Sequence, residues 1–198
     1  MHVCLETERL ILRRFTPNDA ELLIELDGDP EVMRYLSGGP ATPREVIERE
    51  VLPRFLRSYG RAEGFGFWAA FEKASGEFAG WFGFNPRDGG EPGEVSLGYR
   101  LRRSVWGRGY ATEGARALIR KGFAQLGVRR VVATTYQDNL ASRRVMEKLG
   151  MVHVRSFRLS PGDLVAPGTF DGAGQEPWDG EDVEYAITKE EWEWRVAG

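Results

Sequence analysis

Hydrophobic and polar positions alternate through TERLILRRF near the start of the chain, with Leu10 and Leu12 set between polar neighbours. This period of two predicts a first strand over 5–15. Thr16-Pro17-Asn18-Asp19 then changes the rhythm. Thr16 can cap a helix, and Pro17 suits a first turn whose amide needs no partner. Leu22, Leu23 and Leu26 follow at helical spacing. Thr42-Pro43-Arg44-Glu45 repeats the signal ahead of Val46, Ile47, Val51 and Phe55, predicting a second helix. Strand-like runs return over 66–71, 78–85 and 94–101. Between them lie two turn-forming segments, Lys73-Ala74-Ser75-Gly76-Glu77 and Asp88-Gly89-Gly90. Trp68 and Trp81 fall on these strands and are expected to pack in the core.

In the second half, Ala115, Leu118, Ile119 and Phe123 share one face of an amphipathic helix over 111–126. RVVATT over 130–135 reads as a buried strand. A helix over 139–149 ends at Gly150, a C-terminal cap. Closing strands are expected over 151–159 and 183–188, and Thr188 with Glu191 forms a capping box for a tail helix carrying Trp192. A Gly-, Pro- and acid-rich loop spans 161–182. The order of elements predicts one α/β domain over 1–198, with helices packed on a mixed sheet of about seven strands.

The chain has 198 residues, 41% of them hydrophobic, enough for a sizeable core. Its 27 basic and 30 acidic residues give a net charge near -3, so nucleic acid is not an expected partner. A lone cysteine, Cys4, rules out an internal disulfide. With only His2 and His153 as imidazoles, a zinc-type centre lacks its ligands, and no metal is expected. There is no apolar run of about 18 residues and no secretory-type stretch at the start, so a cytoplasmic protein with no membrane contact is expected.

The most informative segment is Trp106-Gly107-Arg108-Gly109-Tyr110-Ala111-Thr112-Glu113, between a predicted strand and a predicted helix. The first amides of a helix lack internal partners, and the dipole adds partial positive charge there, so such a junction suits phosphate oxygens. Glycines let the backbone approach a ligand closely, and Arg108 brings a full charge. The nucleotide P-loop pattern is absent. Alone, the junction reads equally as a tight turn.

About thirty residues later stands Asn139-Leu140-Ala141-Ser142-Arg143-Arg144-Val145-Met146-Glu147-Lys148-Leu149-Gly150-Met151. Together the two segments resemble the GCN5-related N-acetyltransferase (GNAT) superfamily. Its cofactor motif, Arg/Gln-x-x-Gly-x-Gly/Ala, is matched by Trp106, Gly109 and Ala111, with Trp106 a departure. Its second motif is matched by Asn139, Ser142, Lys148, Gly150 and Met151. WGRGYATE, TERLILRRF and Glu184-Tyr185-Ala186-Ile187-Thr188 are similar to the branch that acetylates N-termini of ribosomal proteins. The resemblance implies a mostly antiparallel sheet splayed between its fourth and fifth strands, with acetyl-CoA as co-substrate in the split. It places the pyrophosphate on Gly107, Arg108, Gly109, Tyr110, Ala111 and Thr112, and the pantetheine near Leu101 and Arg103. Asn139 and Ser142 would meet the cofactor's far side. The implied activity is acetylation of a primary amine, on a protein N-terminus or a small molecule, with a homodimer left open.

Amine acylation needs a neutral amine, a polarised carbonyl and a stabilised leaving thiolate. Glu94, at the start of a strand, is the first candidate for accepting the amine's proton, against a reading as a solvated strand-edge carboxylate. Glu113 reads instead as a structural acid in the first helical turn. A backbone amide near Leu101 could polarise the carbonyl. The tyrosine that many superfamily members use for the thiolate is replaced by Met146, so Ser142 is the candidate donor there. Arg143 and Arg144 are candidates for the adenosine 3′-phosphate, against a solvated helix face. Direct transfer is expected, because Cys4 has no partner in sequence that would activate it except His2. Acids between 171 and 184 could draw in a cationic amine or simply solubilise the loop. Competing functions are an antibiotic, polyamine or amino-acid acetyltransferase and a catalytically idle acyl-CoA sensor.

Overall fold

The computed structural model describes residues 3–158 and 180–197. Most of the expected acidic loop, 161–179, therefore lies outside the described residues. Eight strands form one sheet: β1 (Val3–Glu6), β2 (Leu10–Arg14), β3 (Gly66–Glu72), β4 (Phe78–Pro86), β5 (Glu94–Leu101), β6 (Arg130–Tyr136), β7 (Val152–Phe157) and β8 (Asp182–Thr188). Their order is β1-β2-β3-β4-β5-β6-β8-β7. The strand expected over 5–15 is a hairpin. Its turn is pinned by Thr7, whose amide donates to the Leu10 carbonyl at 2.9 Å and whose hydroxyl accepts from the Leu10 amide at 3.0 Å. The count therefore rises from seven to eight, and the split falls between β5 and β6, the same two segments as expected.

All neighbouring strands are antiparallel except β5 and β6. These run parallel and pair only at Glu94 with Arg130, Val95 with Val131 and Ser96 with Val132. Beyond Ser96 they part, although β5 continues to Leu101 and β6 to Tyr136. On its other edge β5 stays paired with β4 as far as Leu101, so the sheet is held firmly right up to the opening.

Short helices α1 (Ala20–Asp27), α2 (Pro30–Met33), α3 (Arg44–Val46) and α4 (Leu52–Ser58) follow β2. The Thr16 cap is present as a capping box with Asp19. The Thr42 cap is not: its hydroxyl donates to the Asp27 carboxylate at 2.9 Å, and Pro43 takes the cap position. Between α3 and α4 the chain widens into a π turn over Ile47–Val51. Pro53 explains it, since proline offers no amide and its ring crowds the carbonyl four residues back. Phe15, Leu23, Leu26, Ile47 and Phe55 from this region pack on Phe67, Ala69 and Trp81 of the sheet.

The other sheet face carries α5 (Tyr110–Gln125), which buries Ala115, Leu118, Ile119 and Phe123 as expected. Leu118, Ile119 and Phe123 each contribute about 1.5–3 kcal/mol by leaving water. Gly114 lets α5 sit unusually close: a Cβ there would lie 2.4 Å from Phe82 Cζ. Trp68 and Trp81 are both in the core. Helix α6 (Leu140–Lys148) ends at Gly150, with φ +82°, and α7 (Lys189–Ala197) begins at the predicted capping box of Thr188 and Glu191.

Candidate active site

The corner after β5 is built by one cross-link and two left-handed residues. A single helical turn over Arg103–Val105 leads to Trp106, whose indole N–H donates to the Leu101 carbonyl at 2.8 Å and ties the loop to the strand end. Gly107 and Gly109 follow with φ of +73° and +82°. The first bond of α5 runs from the Glu113 amide to the Gly109 carbonyl at 3.0 Å. The amides of Tyr110, Ala111 and Thr112 precede it and have no partner within the helix.

Glu113 secures this corner from behind. It accepts from the Thr7 hydroxyl at 2.5 Å, the Arg9 amide at 2.8 Å and the Arg9 guanidinium at 2.6 Å. Burial pushes its carboxyl up, but these bonds and the Arg9 charge outweigh it and hold the carboxyl below its usual range. A carboxylate held low stabilises the fold above its unfolded pKa, near 4.5 here. That contribution disappears as pH falls through the lower, folded value. Glu113→Gln is therefore expected to cost about 1 kcal/mol at pH 7. The difference from wild type should shrink steadily below pH of about 4.5 in denaturant titrations, and a difference independent of pH would refute the clamp.

Opposite the corner, α6 starts at Asn139, whose side-chain oxygen accepts from the Ser142 amide at 3.1 Å. The Ser142 hydroxyl lies 3.1 Å from the Tyr99 hydroxyl, and Tyr99 also donates to the Ser142 carbonyl at 3.2 Å. Tyr99 belongs to β5 and Ser142 to α6, so this contact bridges the gap between β5 and the elements beyond it. Burial pushes the Tyr99 hydroxyl well above the ordinary tyrosine value, and the Ser142 bond pulls only part of that back.

A cavity of about 1310 Å³ runs through the split. Gly107, Gly109, Tyr110, Ala111 and Thr112 line it at the corner, Leu101 and Tyr99 along β5, and Asn139 and Ser142 on the far side. It continues past Trp81 to a wall formed by α4. The structure thus brings together most of the site residues read from the sequence.

Five of them, Glu94 included, it places differently. Arg108 turns its guanidinium away, onto Glu72 at 2.5 Å and the Tyr110 hydroxyl at 2.8 Å, because Glu72 ends β3 within reach. The Tyr110 hydroxyl is engaged by that same pair, donating to Glu72 and accepting from Arg108. Arg103 is exposed and lies off the cavity. Arg143 donates to the Tyr185 hydroxyl at 3.1 Å and the Gln137 carbonyl at 3.0 Å, leaving Arg144 as the arginine of that pair on the cavity wall.

Glu94 is neither solvated nor open to the cavity. Its side chain is 5% exposed, with Arg87 at 2.9 Å on one oxygen and Arg130 at 2.5 Å on the other. Arg87 also reaches Glu184 at 2.6 Å, and Arg155 joins at 3.0 Å. Burial would raise the Glu184 carboxyl, but Arg87 and Arg155 hold it low. With both oxygens taken by guanidiniums and the side chain off the cavity, Glu94 has no free face to present to an amine there. Glu94 instead anchors Arg87, which does line the cavity. Cys4 is also off the cavity, its thiol pushed up by burial despite Lys121 beside it. His153 is on the exposed face of β7, 3.2 Å from the Ser156 hydroxyl.

Among the described residues no cluster suits a metal ion, and no helix is long and apolar enough to cross a membrane. The sequence profile of the acetyltransferase (GNAT) domain matches residues 9–152. The chain belongs to the GNAT acetyltransferase family. A relative from Aspergillus fumigatus named FsC-acetyl coenzyme A-N(2)-transacetylase is 36% identical, over 95% of this chain and 77% of its own length. The uncharacterized N-acetyltransferase p20 of Bacillus licheniformis is 32% identical over 81% of this chain and 90% of its own. The fold is shared with RimL, the ribosomal L7/L12 alpha-N-protein acetyltransferase solved with coenzyme A, at a TM-score of 0.73 and 18% identity, covering 94% of this chain and 98% of that one. As a GNAT member the protein is an acetyl-CoA-dependent acetyltransferase. The Tyr99 and Ser142 hydroxyl pair is the feature that reading the sequence missed. Alternation put Tyr99 on the face of Val95, Leu97 and Leu101, where an aromatic residue reads as core.

Proposed function

We propose that the protein transfers the acetyl group of acetyl-CoA directly to a primary amine while both substrates occupy the cavity. The observation that carries this reading is the continuity of the 1310 Å³ cavity from the helix amides to the α4 wall. Sites for a single small ligand run to about 300–1,000 Å³, so this one has room for two. The free amides of Tyr110, Ala111 and Thr112 suit a pyrophosphate. The unpaired edge of β5 beyond Ser96 suits the amides of pantetheine, and Arg144 suits a phosphate on the far side. The N(2) in the Aspergillus relative's name supports nitrogen as the acceptor atom.

At the split, a β5 backbone amide polarises the thioester carbonyl. Ser142, held by Tyr99, donates a hydrogen bond to the sulfur as the C–S bond breaks. A thiol titrates near 8.5 and a tyrosine near 10, so a tyrosine raised further makes a steady donor but a poor proton source. The proton that finally caps the thiolate comes from the ammonium formed when the amine attacks. No covalent acyl-enzyme is required, in keeping with Cys4 lying off the cavity.

Tyr99→Phe and Ser142→Ala are each expected to lower kcat by about 10- to 100-fold with little change in acetyl-CoA binding. The double variant should be little worse than the poorer single one, because the two hydroxyls act as one unit. Wild-type turnover in both single variants would remove the pair from the mechanism.

A further inference from the structure

The acceptor half of the cavity carries a charge opposite to that of the chain. The protein as a whole is acidic, near -3. Yet among the described residues the charged side chains lining the cavity are eight arginines and one lysine against two carboxylates, Glu31 and Asp88. Part of this is neutralised from behind. Asp27 holds Arg100 at 2.5 Å, and Glu94 and Glu184 hold Arg87 and Arg155. Arg144 and Lys148 lie on α6, beside the proposed coenzyme A seat. Arg34, after α2, faces Glu31 at 3.9 Å, and the other three arginines stand on one wall.

Arg54, Arg57, Ser58 and Arg61 line the cavity from α4 and the turn after it. Arg54, Arg57 and Ser58 share one face of α4, and Arg61 follows in the turn beyond its end. Arg54 lies over the rings of Phe55 and Phe67, at 5.7 and 5.9 Å. Arg61 reaches Asp88 only at 3.9 Å, with both side chains exposed. Arg57 is exposed and pairs with no carboxylate among the described residues. A wall of guanidiniums repels a polyamine and offers forked donors to a carboxylate.

Resting on the transferase reading above, we propose that the acceptor is a primary amine that also carries a carboxylate, which Arg57 and Arg61 bind while the amine reaches the split. The positive wall then orients the acceptor carboxylate-first and excludes diamines, which carry a second cation where the site is already cationic.

The test compares ω-amino acids with their carboxamides and with α,ω-diamines of equal length, at saturating acetyl-CoA. A parallel arm compares short peptides with a free α-amine followed by Asp-Glu or by Asn-Gln, which separates a free amino acid from an acidic peptide as the source of the carboxylate. Acids are expected to exceed amides in kcat/KM by about tenfold or more in at least one arm, with diamines poorest. The preference should fall as salt is raised. Arg57→Gln should bring the acid down towards its amide without changing acetyl-CoA affinity. Equal use of acids and amides, a preference for diamines, or an Arg57→Gln loss equal for all acceptors would each overturn the proposal. Should acetyl-CoA bind but no probe turn over, calorimetry of acid against amide on the acetyl-CoA-loaded protein decides the same question. Failure of acetyl-CoA to bind at all would sink the transferase reading instead.

Discussion

Gly109→Val is expected to weaken acetyl-CoA binding by about a hundredfold while leaving the fold close to wild type. The reason is conformational. Gly109 sits at φ +82°, where an ordinary side chain costs roughly 1–2 kcal/mol and a β-branched one more. Space is not the problem: a Cβ at this position would meet only Arg9 Nη2, at 3.5 Å. The chain can relieve the strain by rotating out of the left-handed region, which swings the following amides off their common target. Each charge-assisted bond lost to a phosphate is worth about 1.5–3 kcal/mol, or roughly 10- to 100-fold in affinity. Calorimetric titration with coenzyme A reads the effect directly, and an unchanged Kd would mean that these amides do not hold the cofactor.

Gly114→Ala should act one turn further on by the opposite route, through stability first. The new methyl would stand 2.4 Å from Phe82 Cζ and 2.7 and 2.8 Å from the adjacent ring carbons. Phe82 is fully buried and cannot swing aside. Overpacking of this kind costs about 1–3 kcal/mol, and the simplest relief is for α5 to lift from β4. Because the helix carries the free amides on its first turn, acetyl-CoA affinity should fall together with the denaturation midpoint. Gly109→Val should lower affinity by far more than its strain lowers the midpoint, so the ratio of the two losses separates a defect of the seat from a defect of its support. A Gly114→Ala protein with wild-type stability would show that α5 does not rest on Phe82 as described.

Much of the framework was legible from residue pattern. Strand-like runs between turn segments marked β3, β4 and β5, a buried-type run marked β6, and the apolar face of α5 was correctly placed. The Thr16 and Thr188 capping boxes and the Gly150 stop follow from local hydrogen-bond chemistry, which depends on neighbours a few residues away. The glycines beside Trp106 marked the strand-to-helix corner for the same reason. Less legible was the hairpin of β1 and β2, because Thr7-Glu8-Arg9 continues the polar alternation while the Thr7 hydroxyl turns the chain. The π turn ahead of Pro53 likewise depends on how a helix accommodates a missing amide.

The chain's own order of residues determined the fold class, the strand-to-helix corner and the GNAT kinship, since each is written in spacing along the backbone. Tertiary structure alone decided which side chains face the cavity. Glu94 meets Arg130 and Arg87, Arg108 meets Glu72, and Tyr99 meets Ser142, and of these partners only Arg87 lies near its own along the chain. A charged or hydroxyl side chain takes its role from the nearest opposite charge or hydrogen-bond partner in space, and sheet pairing and helix packing set those neighbours after the local pattern has done its part.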